Sequence, residues 1–592
     1  GGEHVSLVGS GASSGTVTGT FDGEAGNYQV KLSYYDENDG KSDARVTVAG
    51  DIQSFEWNQN LGSAGATAAS LTERITHSNI ALQQGDTFEV FVEGDGGEPA
   101  RFDKIEFIRI ESQPPTTYYV SPNGNDNNPG TSDQPWKTIN YAVSKFSSVK
   151  AGDTILVKPG TYTELITLDK SGSADLGHIT LKADGQGQVI LKDPDPVVGD
   201  FKEGVIQSAN RGYWIIDGFR IENTSWAGIS LRNANNMIVQ NNHTFETGAS
   251  GIIVMPDNFF GGGEAEVTSK DIKVLNNTIE RANWRWTGTG AIGLQEALSI
   301  WGVDGFEVAN NLVTEATREG IDAKTGSRNG TIHSNTVTGV ASISGTNAGY
   351  NGGPAIYVEG SRSDVFNIDV YNNIVYNNFA DGIVIADEET EIGEGDVKDI
   401  RVYNNLVYGN GIVGQNGGAG IMVTSNVNDV EIINNTVVGN VQSIFIDGTF
   451  YNGYKAFDIL VRNNIFANPA FQNGFIKEAN DLVLDNNLFT NQFNLLYEGG
   501  TGLNNLTQTN NSQIASIGLV NSQANNLQLS STRSVNLQAS DFELSSTSAA
   551  IDAGSTLIPN YASIDKNGIT RDKDGDGDGN AEPDIGAYEY LV

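Results

Sequence analysis

The segment Arg318-Glu-Gly-Ile-Asp-Ala-Lys-Thr-Gly326 places two carboxylates, a guanidinium and an amine within nine residues. In a strand, alternate residues share a face, so Asp322 and Lys324 point the same way while Ile321 and Ala323 point the other. A matching strand, Ala355-Ile-Tyr-Val-Glu359, carries Tyr357 and Glu359 in the same two positions. Stacked as neighbours, these strands put Glu359 beside Lys324, near enough to pair with it and raise its pKa. Asp322 and Glu359 then differ by one strand spacing of ~4.8 Å and two residues of ~6.6 Å, or roughly 8 Å overall. Two carboxyl groups at that distance fit hydrolysis with inversion at a glycosidic bond, one as acid and one as base, for which ~6.5–9.5 Å is usual. Asp387, Glu388 and Glu389, at the next turn, could replace either member. A surface ion-pair ladder would use the same residues without any reaction.

The elements that must position these residues repeat along the chain. From residue 240 onward an Asn-Asn pair, once Ser-Asn, recurs with its second member at Asn242, Asn277, Asn311, Asn335, Asn373, Asn405, Asn435, Asn464 and Asn487. A short apolar strand precedes each pair, and a second strand, typified by Gly320-Ile-Asp-Ala, follows in the next coil. The spacing varies by more than ten residues, which means a constant coil carrying loops of variable length. Strand, tight Asn turn and strand, stacked many times, make a parallel β-solenoid. The Asn residues are expected to form a structural ladder, since Asn tolerates the left-handed conformation and bonds its own turn.

Stacking the second strands gives two outward columns. One contains Ser299, Asp322 and Tyr357; the other contains Arg232, Trp301, Lys324 and Glu359. The long insertions beside them carry Trp284, Arg285 and Trp286, then Tyr350. Three of the chain's 7 Trp residues therefore gather at one expected cleft. Aromatic faces with nearby Arg are a carbohydrate-binding surface, so Arg232, Trp284, Arg285, Trp286, Trp301, Tyr350 and Tyr357 are the substrate-binding candidates. The bland alternative is that the aromatics bury their own loops.

Residues 1–112 read differently, as short alternating strands separated by acidic turns, the pattern of an antiparallel β-sandwich. Residues 113–117 form a Pro-containing linker, and residues 118–592 form the solenoid. The fold class is therefore all-β. Thirty-five Lys+Arg against 73 Asp+Glu leave a net charge of −38, which argues against nucleic acid and anionic membranes as partners. There is no Cys, which removes disulfides and thiolate chemistry. The five His residues show no metal-ligand spacing. The opening Gly-Gly-Glu-His lacks a signal-peptide pattern, as expected of a mature or trimmed chain. A secreted monomer acting on a polysaccharide is the expectation.

Three resemblances add to this reading. Tyr118-Tyr-Val-Ser-Pro-Asn-Gly and Ala151-Gly-Asp-Thr-Ile-Leu-Val-Lys-Pro-Gly-Thr-Tyr resemble the N-terminal cap of secreted right-handed parallel β-helix proteins, many of them polysaccharide lyases or glycoside hydrolases. Glu319-Gly-x-x-x-Lys324 resembles the Asp-Gly-x-x-x-Lys pattern of family 9 polysaccharide lyases, with Glu for the first Asp. Ala380-Asp-Gly-Ile-Val384 resembles their calcium strand but departs at both ends. The Glu-to-Lys spacing also resembles family 6 lyases, although the Arg of that family is missing from the following coil. These likenesses imply β-elimination on a uronate polymer. Lys324 would be the base, and Glu319, Asp322, Asp381 and Asp387 would be ligands of a calcium ion that neutralises the substrate carboxylate.

The first domain resembles the carbohydrate-binding modules of marine polysaccharide-degrading enzymes. That implies sugar contacts from Trp57, Glu98 and Arg101, and a calcium ion near Asp36, Glu37, Asp39 and Asp103. Asp572-Lys-Asp-Gly-Asp-Gly-Asp578 resembles calcium loops, with Asp572, Asp574, Asp576 and Asp578 as ligands and Pro583 where an EF-hand has its Glu. Elimination, hydrolysis and a non-catalytic adhesin all remain open on the sequence.

Overall fold

In the computed structural model, residues 5–591 are described except 7–13, 39, 63–64, 95–99, 111–113, 198–202, 258–265, 285–295, 343–352, 389–395, 413–416, 449–455, 491–494, 498–504 and 530–535. Glu98, Arg285, Trp286 and Tyr350, and likewise Asp39 and Glu389, lie outside the described residues. The chain forms two compact units, Gly1–Pro114 and Pro115–Val592.

The first unit holds two four-stranded antiparallel sheets. The strand Ser42–Val48 alternates, burying Ala44, Val46 and Val48 while Arg45 is exposed and Thr47 half-buried. Trp57 is 1% exposed and stacks on Tyr34 with ring centroids 4.6 Å apart. It is a core residue, which corrects its reading as a sugar contact. Arg101 is the counter-ion of the fully buried Glu37. Asp36 spends one carboxylate oxygen on the Gln59 and Asn60 N–H groups, at 2.8 and 3.0 Å.

The second unit is a right-handed parallel β-helix with sheets of 14, 13 and 12 strands. Every neighbouring pair runs parallel, so side chains of equal phase stack in columns, one per coil. The inward column of the 12-stranded sheet runs Leu298, Ile321, Ile356, Ile383, Ile421 and Ile444. All six are 2% exposed or less. Full burial of each such side chain contributes ~1.5–3 kcal/mol, and this sum over coils holds the solenoid shut.

Each Asn pair divides its work. The first member takes the left-handed turn, with φ of 56° at Asn241 and 54° at Asn404, and Ser334 does the same at 55°. The second member is buried and forms the ladder. Asn405 Oδ1 accepts the Asn373 N–H at 2.9 Å, while its own Nδ2 donates to the Val370 carbonyl at 2.8 Å and to Asn435 Oδ1 at 3.0 Å. The chain beyond residue 515 returns along the 13-stranded sheet, where Phe542, Ile585 and Tyr588 cover Leu406, Tyr408 and Ile465. Among the described residues, no helix is long and apolar enough to cross a membrane.

Candidate active site

Lys324 stands on the outward face of the strand Ile321–Lys324, in register with Trp301 on one side and Glu359 on the other. Its ammonium meets three carboxylates: Glu296 at 2.5 Å, Asp322 at 3.1 Å and Glu359 at 3.8 Å. The Trp301 ring lies 4.5 Å beneath it, a cation–π contact. Ser299 Oγ donates to the second oxygen of Glu296 at 2.5 Å. Glu296 has no place in the strand columns. It lies two residues before Leu298, at the coil position that Glu319 holds before Ile321. Extending the columns two residues upstream would have found it.

Burial by itself would lower the Lys324 pKa. Asp322, Glu296 and Glu359 outweigh burial and hold it well above the usual lysine value. Burial also pushes Glu296 up, but Lys324, Arg318 and the Ser299 hydroxyl win and keep it below the ordinary carboxylate value. Asp322 goes the other way. Its burial, with Glu296 and Glu319 nearby, outweighs Lys324 and raises it well above the ordinary value. Glu359 is likewise raised, by burial first and then by Glu388. The cluster is a tight Glu296–Lys324 ion pair with two further carboxyl groups that hold protons more firmly than usual.

Accessibility separates those two. Asp322 is 0% exposed, and both its oxygens lie out of solvent contact without an aligned hydrogen bond; the 3.1 Å approach of Lys324 is an ion pair only. Glu359 keeps 7% of its surface, and Glu388, on the following coil, is exposed. Tyr357 is 2% exposed, and its hydroxyl donates to Glu388. Tyr357 therefore lies beneath Glu388 and holds its carboxyl, which corrects its reading as a stacking platform. Although Glu388 reaches solvent, desolvation of its carboxyl against the cluster raises it, against the pull of the Tyr357 hydroxyl. The nearest oxygens of Asp322 and Glu359 can be no further apart than the sum of their distances to Nζ, 6.9 Å. That is closer than the roughly 8 Å of the backbone register, because both side chains bend toward the lysine between them.

The expected calcium set does not converge. Glu319 is held by Arg318 through contacts of 3.0 Å. Asp381 accepts the Gly418 and Ala419 N–H groups, both at 2.7 Å, and so anchors the next turn. Asp387 is fully buried and accepts from Asn426 Nδ2 at 3.1 Å. Among the described residues, three carboxylate oxygens come within 4.8 Å of one another only at Asp552, Asp574 and Asp576. Asp574 and Asp576 were expected from the sequence, whereas Asp552 replaces Asp572 and Asp578. Asp572 instead caps Thr570, and Asp578 closes its own turn on the Asn580 N–H.

Of the remaining substrate candidates, Arg232 is paired with Glu203 at 2.7 Å and Asp257 at 3.3 Å. Trp284 is 45% exposed with Arg281 over its ring. Trp301 packs against Trp226 and Met255.

Comparison with known proteins bears on the scaffold. Uncharacterized protein YwoF of Bacillus subtilis is 26% identical over 219 residues, covering 34% of this chain and 42% of YwoF. Pectate lyase PEL9 of Emericella nidulans is 30% identical over 128 residues, covering 20% of this chain and 30% of that enzyme. The chain thus spans less than half the length of either relative. Among solved structures, XylC in complex with xylose aligns at a TM-score of 0.44 and 12% identity, over 66% of this chain and 86% of XylC. Pectate lyase Pel9A aligns at 0.42 and 16%, over 81% and 98%. Residues 365–554 match the family model described as disaggregatase related, so residues 277–364, with Glu296 through Glu359, fall between the two family matches. The other match, over residues 118–276, is to the family model described as Pel9A-like, right-handed β-helix region.

Proposed function

We propose that this protein is a secreted enzyme that cleaves a polysaccharide by hydrolysis, with Glu359 and Glu388 as its acid and its base or nucleophile. The observation that carries this reading is the confinement of Lys324 by three carboxylates. A lysine base must be neutral before it can take a proton, and this lysine is held charged. Glu359 and Glu388 meet the opposite requirement. Glu388 is exposed, Glu359 keeps 7% of its surface, and the two sit on adjacent coils. Both hold protons above the ordinary range. Lys324 favours the ionised form of both, and Glu388 crowds Glu359, so the pair holds one proton between two carboxyls. One of them then protonates the leaving glycosidic oxygen while the other attacks or activates water. Asp322, Glu296 and Trp301 hold the lysine in place.

Elimination is the second reading, supported by the likeness to pectate lyase PEL9. Product mass decides between them: hydrolysis adds water, elimination leaves an unsaturated end absorbing in the ultraviolet. We expect products that gain water, at rates unchanged by a chelator. Unsaturated products, or a rate restored by added calcium, would reverse the order of the two readings. For calcium we propose only Asp552, Asp574 and Asp576, in a structural role, so chelation should lower the melting temperature without slowing the reaction.

The first unit we propose as a carbohydrate-binding module. It has its own core around Val30, Leu32, Val46 and Val90. Residues 1–114 expressed alone are expected to be retarded in gels containing the polymer that the solenoid cleaves. Equal mobility with and without every cleaved polymer would remove the proposal.

A further inference from the structure

We infer that the cleft takes a neutral glycan, and that a polyuronate is excluded from it by charge. This rests on the hydrolytic reading and names its substrate class. Five carboxyl groups, Glu296, Glu319, Asp322, Glu359 and Glu388, surround or adjoin the lysine, and each acts on its neighbours electrostatically. Against them stand Lys324 and Arg318, and each is already committed. Lys324 is 2.5 Å from Glu296, and Arg318 approaches both oxygens of Glu319 at 3.0 Å. The next cation along the same outward column, Arg232, is taken by Glu203 and Asp257. Among the described residues of this face, every cation named here already has a carboxylate of the protein beside it.

A uronate carboxylate entering the cleft would have to displace one of these internal partners, and would then face the remaining acids at close range. The site already resists added negative charge, since burial and crowding keep protons on Asp322, Glu359 and Glu388 more firmly than usual, and a further carboxylate meets the same penalty. The chain's net charge of −38 adds a long-range field of the same sign. A divalent ion could in principle bridge two acids. However, Glu319, Asp381 and Asp387 are bound to Arg318, to backbone N–H groups and to Asn426, and Asp322 lies against the Lys324 ammonium at 3.1 Å. A neutral sugar meets none of these costs. Its hydroxyls donate, and the exposed carboxyl of Glu388 and the edge of Glu359 accept.

The test is a rate comparison on matched polymers with the full chain. Polygalacturonate and alginate are each assayed beside their carboxyl-reduced forms, in which the uronate becomes a primary alcohol on the same backbone. Xylan, galactan, mannan and β-glucan complete the panel. We expect cleavage of at least one neutral polymer, at a rate tenfold or more above that on either polyuronate, with no unsaturated product. Faster cleavage of a native polyuronate than of its reduced form overturns the inference, and so does failure to cleave any neutral polymer. Product mass from the same runs keeps the two ideas apart. A polyuronate cleaved with gain of water faster than its reduced form sinks the neutral-substrate inference and leaves hydrolysis standing, whereas an unsaturated product sinks both.

Discussion

Glu359→Gln and Glu388→Gln should each lower kcat at least a hundredfold on whichever polymer is cleaved, with KM changed by only a small factor. A positioned acid or base contributes ~10²–10⁴ in rate, and an amide can neither give nor take the proton. A hundredfold loss corresponds to about 2.7 kcal/mol of transition-state stabilisation. The pH profile should follow the same assignment. One of the pair must be protonated and the other ionised, and both are raised above the ordinary carboxylate value by burial and by neighbouring acids. Activity therefore rises as pH passes the lower of the two values and falls as it passes the higher, which moves the optimum above the usual carboxylate range toward neutrality. Asp322→Asn should act differently, since its oxygens do not reach solvent. Its loss loosens Lys324 and shifts the profile more than it removes rate. Full activity in either variant would return its role to another residue of the cluster and void this assignment.

The largest stability effect is expected at Lys324→Met. Met keeps much of the volume but leaves Glu296, Asp322 and Glu359 without their shared cation. Breaking a buried pair by removing one partner costs about 3–5 kcal/mol, because the other charge stays buried and uncompensated. The sign with pH follows from linkage. Lys324 has a raised folded-state pKa, so its contribution is complete below the ordinary lysine value and does not vary between pH 5 and 8. Asp322 and Glu359 are acids with raised folded-state values. The folded state therefore binds more protons than the unfolded chain, and stability falls as pH climbs from the ordinary carboxylate range toward those values. Without the lysine both rise further, so the deficit of the variant should widen from pH 5 to pH 8. Adding Glu296→Gln should recover part of the loss, since one uncompensated charge is removed. Denaturant unfolding of the solenoid at the two pH values measures this, and a deficit that is flat or narrows with rising pH would contradict it.

Much of the site was legible in the sequence because a solenoid converts local spacing into tertiary position. Period-two alternation decides which residues face outward, and each coil adds one strand spacing. That is why Asp322, Lys324 and Glu359 could be stacked correctly from two short strands of sequence. The Asn pairs were legible for the same reason, as a buried polar ladder needs the same residue in every coil.

Other assignments depended on distances that no repeat encodes. Glu296 precedes its strand, and the reach of the Lys324 side chain across one coil makes it the closest partner. Trp57 and Tyr357 carry the residue types of a sugar surface, yet packing buries both, and only the filled volume around them says so. Asp381 and Asp387 looked like ligands until backbone N–H groups and Asn426 claimed their oxygens. Asp552 joins Asp574 and Asp576 across more than twenty residues. The sequence by itself determined the β-helix, its ladder and the face that carries the charged column, because each follows from periodic local geometry. The tertiary structure decided which carboxyls meet solvent and which spend themselves inside, because accessibility and hydrogen-bond partners depend on everything packed around a residue.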